Sequence, residues 1–250
     1  MKNNIIVWIT VLICLVLPFS AITLVGLRRC GSHKQETRQG KKPDPSRCEH
    51  PDGIDLSHHN EAYDWKKVDA RFVYVRATSG TTLKDRRYDI HRKAAVRHDI
   101  PVGAYHFLVA DAGAEEQFRH FSSVVRKGHI TLRPMLDIEE SRYWNAPKDF
   151  TAGDVRRLVR RWCDLCKERY GKAPVIYITE NLHRKFGMDK GFEDCLWWVA
   201  NYNDVRNFEN KCRIPYILHQ YSDKKNVEGF YGHIDCNRFA TGKDVDDLKL

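Results

Sequence analysis

The sequence predicts an α/β protein, a (β/α) barrel whose final third is mostly β. From residue 53 onward, short β-branched and aromatic runs alternate with amphipathic stretches of helical period. Eight such runs occur, the number that closes a barrel. After residue 190 the helical pattern fades and the strand patterns follow one another closely.

In chain order, the strands are expected at residues 53–57, 72–77, 101–108, 133–139, 173–179, 196–201, 216–222 and 232–237. Helical patterns fill 85–98, 112–125 and 152–170. The last is framed by Thr151 as N-cap and Gly171 as stop. Trp162, Phe118 and Phe121 fall on helical faces and are assigned to the core. No internal repeat or low-complexity tract interrupts residues 51–250, which are read as one barrel domain.

Composition narrows the partners. The net charge is +9, yet residues 1–49 carry 8 Lys+Arg against 3 Asp+Glu, and the remaining 201 residues carry 34 against 30. Such mixed charge is an ordinary solvated surface, so no nucleic-acid partner is expected. Aromatics at 11% and apolar residues at 42% exclude a disordered chain.

Residues 5–27 form 23 consecutive residues without a charged side chain, ending at Arg28-Arg29. That exceeds a secretory h-region and matches a membrane span, and no small-x-small cleavage site follows. Residues 1–29 therefore read first as an uncleaved signal-anchor and second as a long signal peptide, with 30–50 as a flexible linker. Arg28 and Arg29 outweigh Lys2 and by charge would keep the domain cytoplasmic. The chemistry below belongs outside the cell, and it decides for export: anchored or secreted, in the periplasm or at the cell surface.

Of eight cysteines, Cys14, Cys30 and Cys48 lie in the anchor and linker. Cys163-Asp-Leu-Cys166 has metal or redox spacing but falls within a helical pattern and lacks a second pair, so it reads as two half-buried thiols. A Cys195–Cys212 bridge is open in an oxidising compartment.

The polar residues fall at strand ends, where barrel enzymes carry their chemistry. Asp55 lies in Gly-Ile-Asp-Leu-Ser, His106 in Gly-Ala-Tyr-His-Phe, and Asp137 and Glu139 in Leu-Asp-Ile-Glu. Alternation puts Asp137 and Glu139 on one face and Ile138 in the helix layer. Two neighbouring acids on an apolar strand are costly unless paired or used. Their repulsion raises one pKa and makes a proton donor beside an ionised neighbour, the requirement for cleaving an acetal. Asp235, in the last strand, would face Asp55 where the barrel closes. The plainer readings are a turn cap for Asp55, an Asp235–Arg238 ion pair and a solvated strand edge for Asp137 and Glu139. Tyr105, Tyr177, Trp198, Tyr202 and Tyr221 lie on or just after strands, as sugar-stacking rings or as core.

Taken in order, Gly-Ile-Asp55-Leu-Ser, Gly-Ala-Tyr105-His106-Phe, Leu-Asp137-Ile-Glu139, Trp-Trp198-Val-Ala-Asn-Tyr202, Gln220-Tyr-Ser and Gly-His-Ile-Asp235-Cys-Asn resemble glycoside hydrolase family 25, the Chalaropsis-type lysozymes. The resemblance implies a flattened, irregular (β/α)5(β)3 TIM-like barrel that needs no cofactor or metal. It implies retaining hydrolysis of the β-1,4 bond from N-acetylmuramic acid to N-acetylglucosamine in peptidoglycan. Glu139 matches the family's catalytic acid and Asp137 its partner, either as nucleophile or as the residue orienting the substrate's 2-acetamido group. Asp55 and Asp235 match two further acids of the cleft, with Tyr105, His106, Tyr177, Trp198, Tyr202 and Gln220 as substrate-binding residues. Departures are His219 where the family often carries Trp, a basic Ser57-His58-His59-Asn60 segment, and Cys236 beside Asp235.

Two rivals from other classes are a non-catalytic peptidoglycan-binding protein and a metal-dependent polysaccharide deacetylase. The first would be expected to lack Glu139 or Asp137. The second would use Asp55, Asp137 and one of His58, His59 or His219, but no His-x-x-x-His pair occurs. A monomer is expected.

Overall fold

A computed structural model describes residues 50–140, 144–203, 205 and 207–250. Eight strands close a barrel: β1 (Gly53–Leu56), β2 (Phe72–Ser79), β3 (Val102–Phe107), β4 (Met135–Asp137), β5 (Val175–Thr179), β6 (Leu196–Ala200), β7 (Tyr216–Lys225) and β8 (Ile234–Phe239). Strands β1 to β7 pair in parallel, each with the next. Strand β8 runs antiparallel to both β7 and β1 and closes the ring. All eight expected strands are present, with ends shifted by up to three residues.

Helices α1 (Tyr88–Arg97), α2 (Ala114–Val124) and α3 (Ala152–Tyr170) are the three the periodicity predicts. Helices α4 (Glu180–Phe186), α5 (Phe208–Lys211) and α6 (Val245–Leu248) are additional. Helix α4 escaped the pattern because its seven residues follow β5 without a loop. Thr179 ends the strand and caps the helix, its side chain accepting from Leu182 N. The connection from β1 to β2 carries a 3-10 turn at Trp65–Lys67 in place of an α-helix. A short strand there, Glu61–Ala62, pairs with Phe230–Tyr231 of the β7–β8 hairpin.

Helix α3 shows how sequence sets the outer layer. Thr151 and Asp154 form a reciprocal capping box, and Gly171 ends the helix at φ 93°, a conformation glycine adopts without strain. Its buried face, Val155, Val159, Trp162, Cys163, Cys166 and Tyr170, follows helical spacing. Burying a large apolar side chain of this kind contributes on the order of 1.5–3 kcal/mol.

Inside the barrel, alternation builds two tiers. The lower is apolar, with Phe72, Tyr74, Met135, Val175, Trp198 and Leu218 packed together. Gly53 and Gly103 make the room: a Cβ at either would meet the ring of Phe72 or Tyr74 at 2.1 and 2.3 Å. The upper tier, one alternation further along the strands, is polar and carries the site.

Cys163 and Cys166 are thiols on the inner face of α3, as expected, but fully buried and not half-buried. The open Cys195–Cys212 pairing is not formed: both thiols are free, and Cys195 lies beside Cys163. The segment 5–27, Cys14, Cys30, Cys48 and linker residues 30–49 lie outside the described residues. Among the described residues, no helix is long and apolar enough to cross a membrane.

Candidate active site

The register places Asp55 directly opposite Asp235 across the β1–β8 seam. Asp137 ends β4, and the backbone keeps the ladder for one residue more, Ile138 N donating to Tyr177 O at 3.0 Å. Glu139 therefore faces the barrel mouth with Asp137, although it lies beyond the last paired residue. Asp55, Asp137, Glu139 and Asp235 line one cavity of about 250 Å³, with Tyr105, Tyr177, Tyr202 and Gln220.

Gln220 organises one wall. Its Nε2 donates to Asp55 Oδ2 at 2.9 Å, and its Oε1 accepts the hydroxyls of Tyr177 at 2.7 Å and Tyr202 at 2.5 Å. Asn237 Nδ2 donates to the same Asp55 oxygen at 2.8 Å. Asp137 differs: it is 6% exposed, and its Oδ1 has no hydrogen-bond partner among the described residues. A buried carboxylate oxygen without a donor is a site awaiting one.

The acids raise one another. Burial pushes Asp55 up to about 6, against the hydrogen bonds from Asn237 and Gln220. Asp235 is pushed up to about 9 by burial, then by the charges of Asp55 and Asp223. Burial, then Glu139 and Asp55, hold Asp137 well above the usual carboxylate range. Glu139 is raised by burial and by Asp55. Four close acids cannot all ionise, so the cluster holds protons at neutral pH.

Glu139 also lines two larger cavities, one of about 750 Å³ with Thr179, Asn181 and Tyr202, the other of about 580 Å³ with His59, Thr81 and Asn145. The acids thus lie midway along an open groove.

Two predicted binding residues are placed elsewhere. His106 points out of the barrel, because Tyr105 takes the inward position on β3. Thr78 Oγ1 donates to its Nδ1 at 2.8 Å, and its Nε2 donates to Gln117 Oε1 at 3.2 Å. Trp162 stacks on its ring. Trp198 is inward but fully buried in the lower tier. Its Nε1 donates to Asn237 Oδ1 at 2.9 Å, so it supports Asp55 through Asn237 rather than offering a sugar a face. None of the three plainer readings of the acids holds: Asp55 hydrogen-bonds Gln220 and Asn237 instead of capping a turn, Arg238 lies over the Tyr221 ring, 4.5 Å from its centroid, and Asp137 is buried, not solvated. His219 faces outward, stacked on Phe208 and donating to Asn201 O at 2.8 Å.

The sequence reading missed Arg76, Asp85, Asp223 and Asn237. In the structure Arg76 continues the inward series Phe72, Tyr74 of β2. Among the described residues, no three His, Cys, Asp or Glu side chains are arranged to hold a metal.

An eight-stranded barrel with acids clustered at the mouth formed by the carboxyl ends of its parallel strands, midway along a groove, defines the class of glycoside-cleaving barrels. Residues 54–230 match the family described as Glycosyl hydrolases family 25, and the chain belongs to that family. It is 27% identical over 195 residues to the uncharacterised protein YegX of Escherichia coli O6:H1, covering 75% of this chain and 68% of that one. It is 28% identical over 196 residues to lysozyme M1 of Streptomyces globisporus, covering 75% and 67%. The bacterial lysozyme of Streptomyces coelicolor superposes with a TM-score of 0.67 at 25% identity, covering 80% of this chain and 96% of that one.

Proposed function

We propose that the protein is a peptidoglycan muramidase, hydrolysing the β-1,4 bond from N-acetylmuramic acid to N-acetylglucosamine with retention of configuration. The observation that carries the reading is the pairing of a raised, half-buried Glu139 with a buried Asp137 whose Oδ1 has no donor, midway along an open groove. A groove open on both sides suits an internal bond of a long glycan.

Glu139 holds its proton to higher pH than an ordinary glutamate and gives it to the glycosidic oxygen as the C1–O bond breaks. Asp137 accepts the N–H of the substrate's 2-acetamido group through its free oxygen and aims the carbonyl oxygen at C1, the substrate-assisted exception to the two-carboxylate scheme. Glu139 then takes a proton from the water that opens the ring intermediate. Asp137 and Glu139 are two positions apart on one strand face, about 6–7 Å along the strand, which favours assistance over direct attack by Asp137. Asp55, Asp235, Tyr105, Tyr177, Tyr202 and Gln220 form the wall that receives the sugar. No cofactor takes part.

The enzyme works outside the cytoplasm as a monomer, held to the membrane by residues 5–27. The support is the length of that uncharged segment and the location of peptidoglycan. Digestion of purified peptidoglycan, with mass analysis of the reducing ends released, tests the reading.

A further inference from the structure

Arg76 is the one cation lining the acid-bearing cavity among the described residues. The alternation of β2 puts it there: Phe72 and Tyr74 fill the lower tier, and the next inward position is Arg76. Its side chain is 14% exposed. Its Nε donates to Asp85 Oδ2 at 2.9 Å, and its Nη2 meets Nδ1 of His58. Asp85, whose side chain is fully buried, is itself fixed by the backbone N–H groups of His58 and Arg87, both at 2.9 Å. The guanidinium is therefore held in one place before any substrate binds.

We propose that Arg76, anchored by Asp85, is the fixed counter-charge of the carboxylate cluster and a positioning residue for the reaction, acting through Asp137. This rests on the muramidase reading. A carboxyl that must stabilise the positive charge developing on the acetamido group as it attacks C1 has to be ionised. Around Asp137, however, burial and the charges of Glu139, Asp55 and Asp235 all favour the protonated form. Asp223 lines the same cavity and acts on Asp235. Tyr105 and Tyr177, also facing it, are raised well above the usual phenol range by burial and stay neutral. Arg76 is the charge that opposes this, at Asp137 and at Glu139 alike. Its own surroundings are Asp85, His58 and His59. Asp85 is lowered, against its burial, by the backbone N–H groups of Arg87 and His58 and by Arg76, and His59 is lowered by burial and by His58.

The test compares Arg76→Lys and Arg76→Gln with the parent enzyme in kcat and KM on soluble peptidoglycan strands across pH 4 to 9. Removing the cation raises the acids' pKa values, so the glutamine variant should lose activity on the acid side. Its acid limb should move up by about one pH unit, which is about tenfold in kcat at a fixed pH on that limb, with KM within threefold. The lysine variant should keep the parent's limb. A glutamine variant with the parent's pH profile, or a lysine variant shifted as far as glutamine, overturns the proposal. Should Arg76→Gln fail to fold because it orphans Asp85, the double variant Arg76→Gln with Asp85→Asn removes both buried charges together and is read by the same profile. An inactive parent would instead sink the muramidase reading.

Discussion

Gln220 donates one hydrogen bond to Asp55 over the intervening strand β8, at 2.9 Å, and thereby joins a wall of tyrosine hydroxyls to an acid on the far side of the closing seam. The link fixes which oxygen of Asp55 is occupied and leaves Asp137 as the acid with a free acceptor. The two acids therefore differ in role although both lie 6% exposed at strand ends.

Asp137→Asn should lower kcat far more than it raises KM, because the carboxylate acts on charge that develops in the transition state. The asparagine is nearly isosteric and leaves the wall built by Gln220 untouched. Steady-state kinetics on soluble peptidoglycan strands give the split. A change in KM alone would make Asp137 a binding residue and move the partner role to Asp55 or Asp235.

His106→Ala should destabilise the fold and leave KM of the folded enzyme unchanged. The substitution opens a hole beside Trp162 and strips partners from Thr78 and Gln117, at a cost of about 2–4 kcal/mol. Burial already lowers this histidine to about 4, so the ring is neutral throughout the working range. Chemical denaturation measures the loss. A raised KM with unchanged stability would return His106 to the binding site.

The barrel was legible because its signals are local. β-branched runs, the Thr151 cap and the Gly171 stop each act within a few residues. The acids were legible too, since alternation sends Asp137 and Glu139 to one face and places Asp55 beside Asp235 once the ring closes. His106 and Trp198 were misread for opposite reasons. His106 shares a strand with Tyr105, and only the direction of that strand's pleat decides which of them enters the barrel. Trp198 does enter, but it packs edge-on against Phe72 and Tyr74 in the floor, the two rings for which Gly53 and Gly103 make room. Arg76 was overlooked because an arginine in an apolar run reads as a surface residue until its partner Asp85, nine residues on, is seen to fold back.

Asp235→Asn should stabilise the protein at alkaline pH. A carboxyl whose folded pKa lies near 9, against an ordinary 3.8, binds its proton more tightly when folded. Its contribution is complete below the ordinary value and is lost as pH rises through the folded one. The variant escapes that loss, so its Tm should exceed the parent's at pH 9 by at least about 2–4 °C, the shift that about 1 kcal/mol produces in a domain of this size. The gap should narrow by pH 5. An equal gap at both would mean that Asp235 does not hold its proton.

Full-length protein should sediment with membranes and retain an N-terminus at or near Met1. Twenty-three uncharged residues would reach roughly 34 Å as a helix, enough for the hydrocarbon core. Protease added to intact spheroplasts should then digest the barrel. Protection would place it in the cytoplasm, as the Arg28-Arg29 charge bias suggests, away from its substrate.

The central claim is tested most directly by digesting purified peptidoglycan with the parent and with Glu139→Gln, reducing the products with borohydride and weighing them. The parent should release fragments ending in reduced N-acetylmuramic acid. The glutamine variant, unable to donate the proton, should be slower by at least about 10²–10⁴-fold with its thermal melt intact. Fragments ending in reduced N-acetylglucosamine or in an anhydro sugar one water lighter, or a variant within threefold of the parent, would contradict the account.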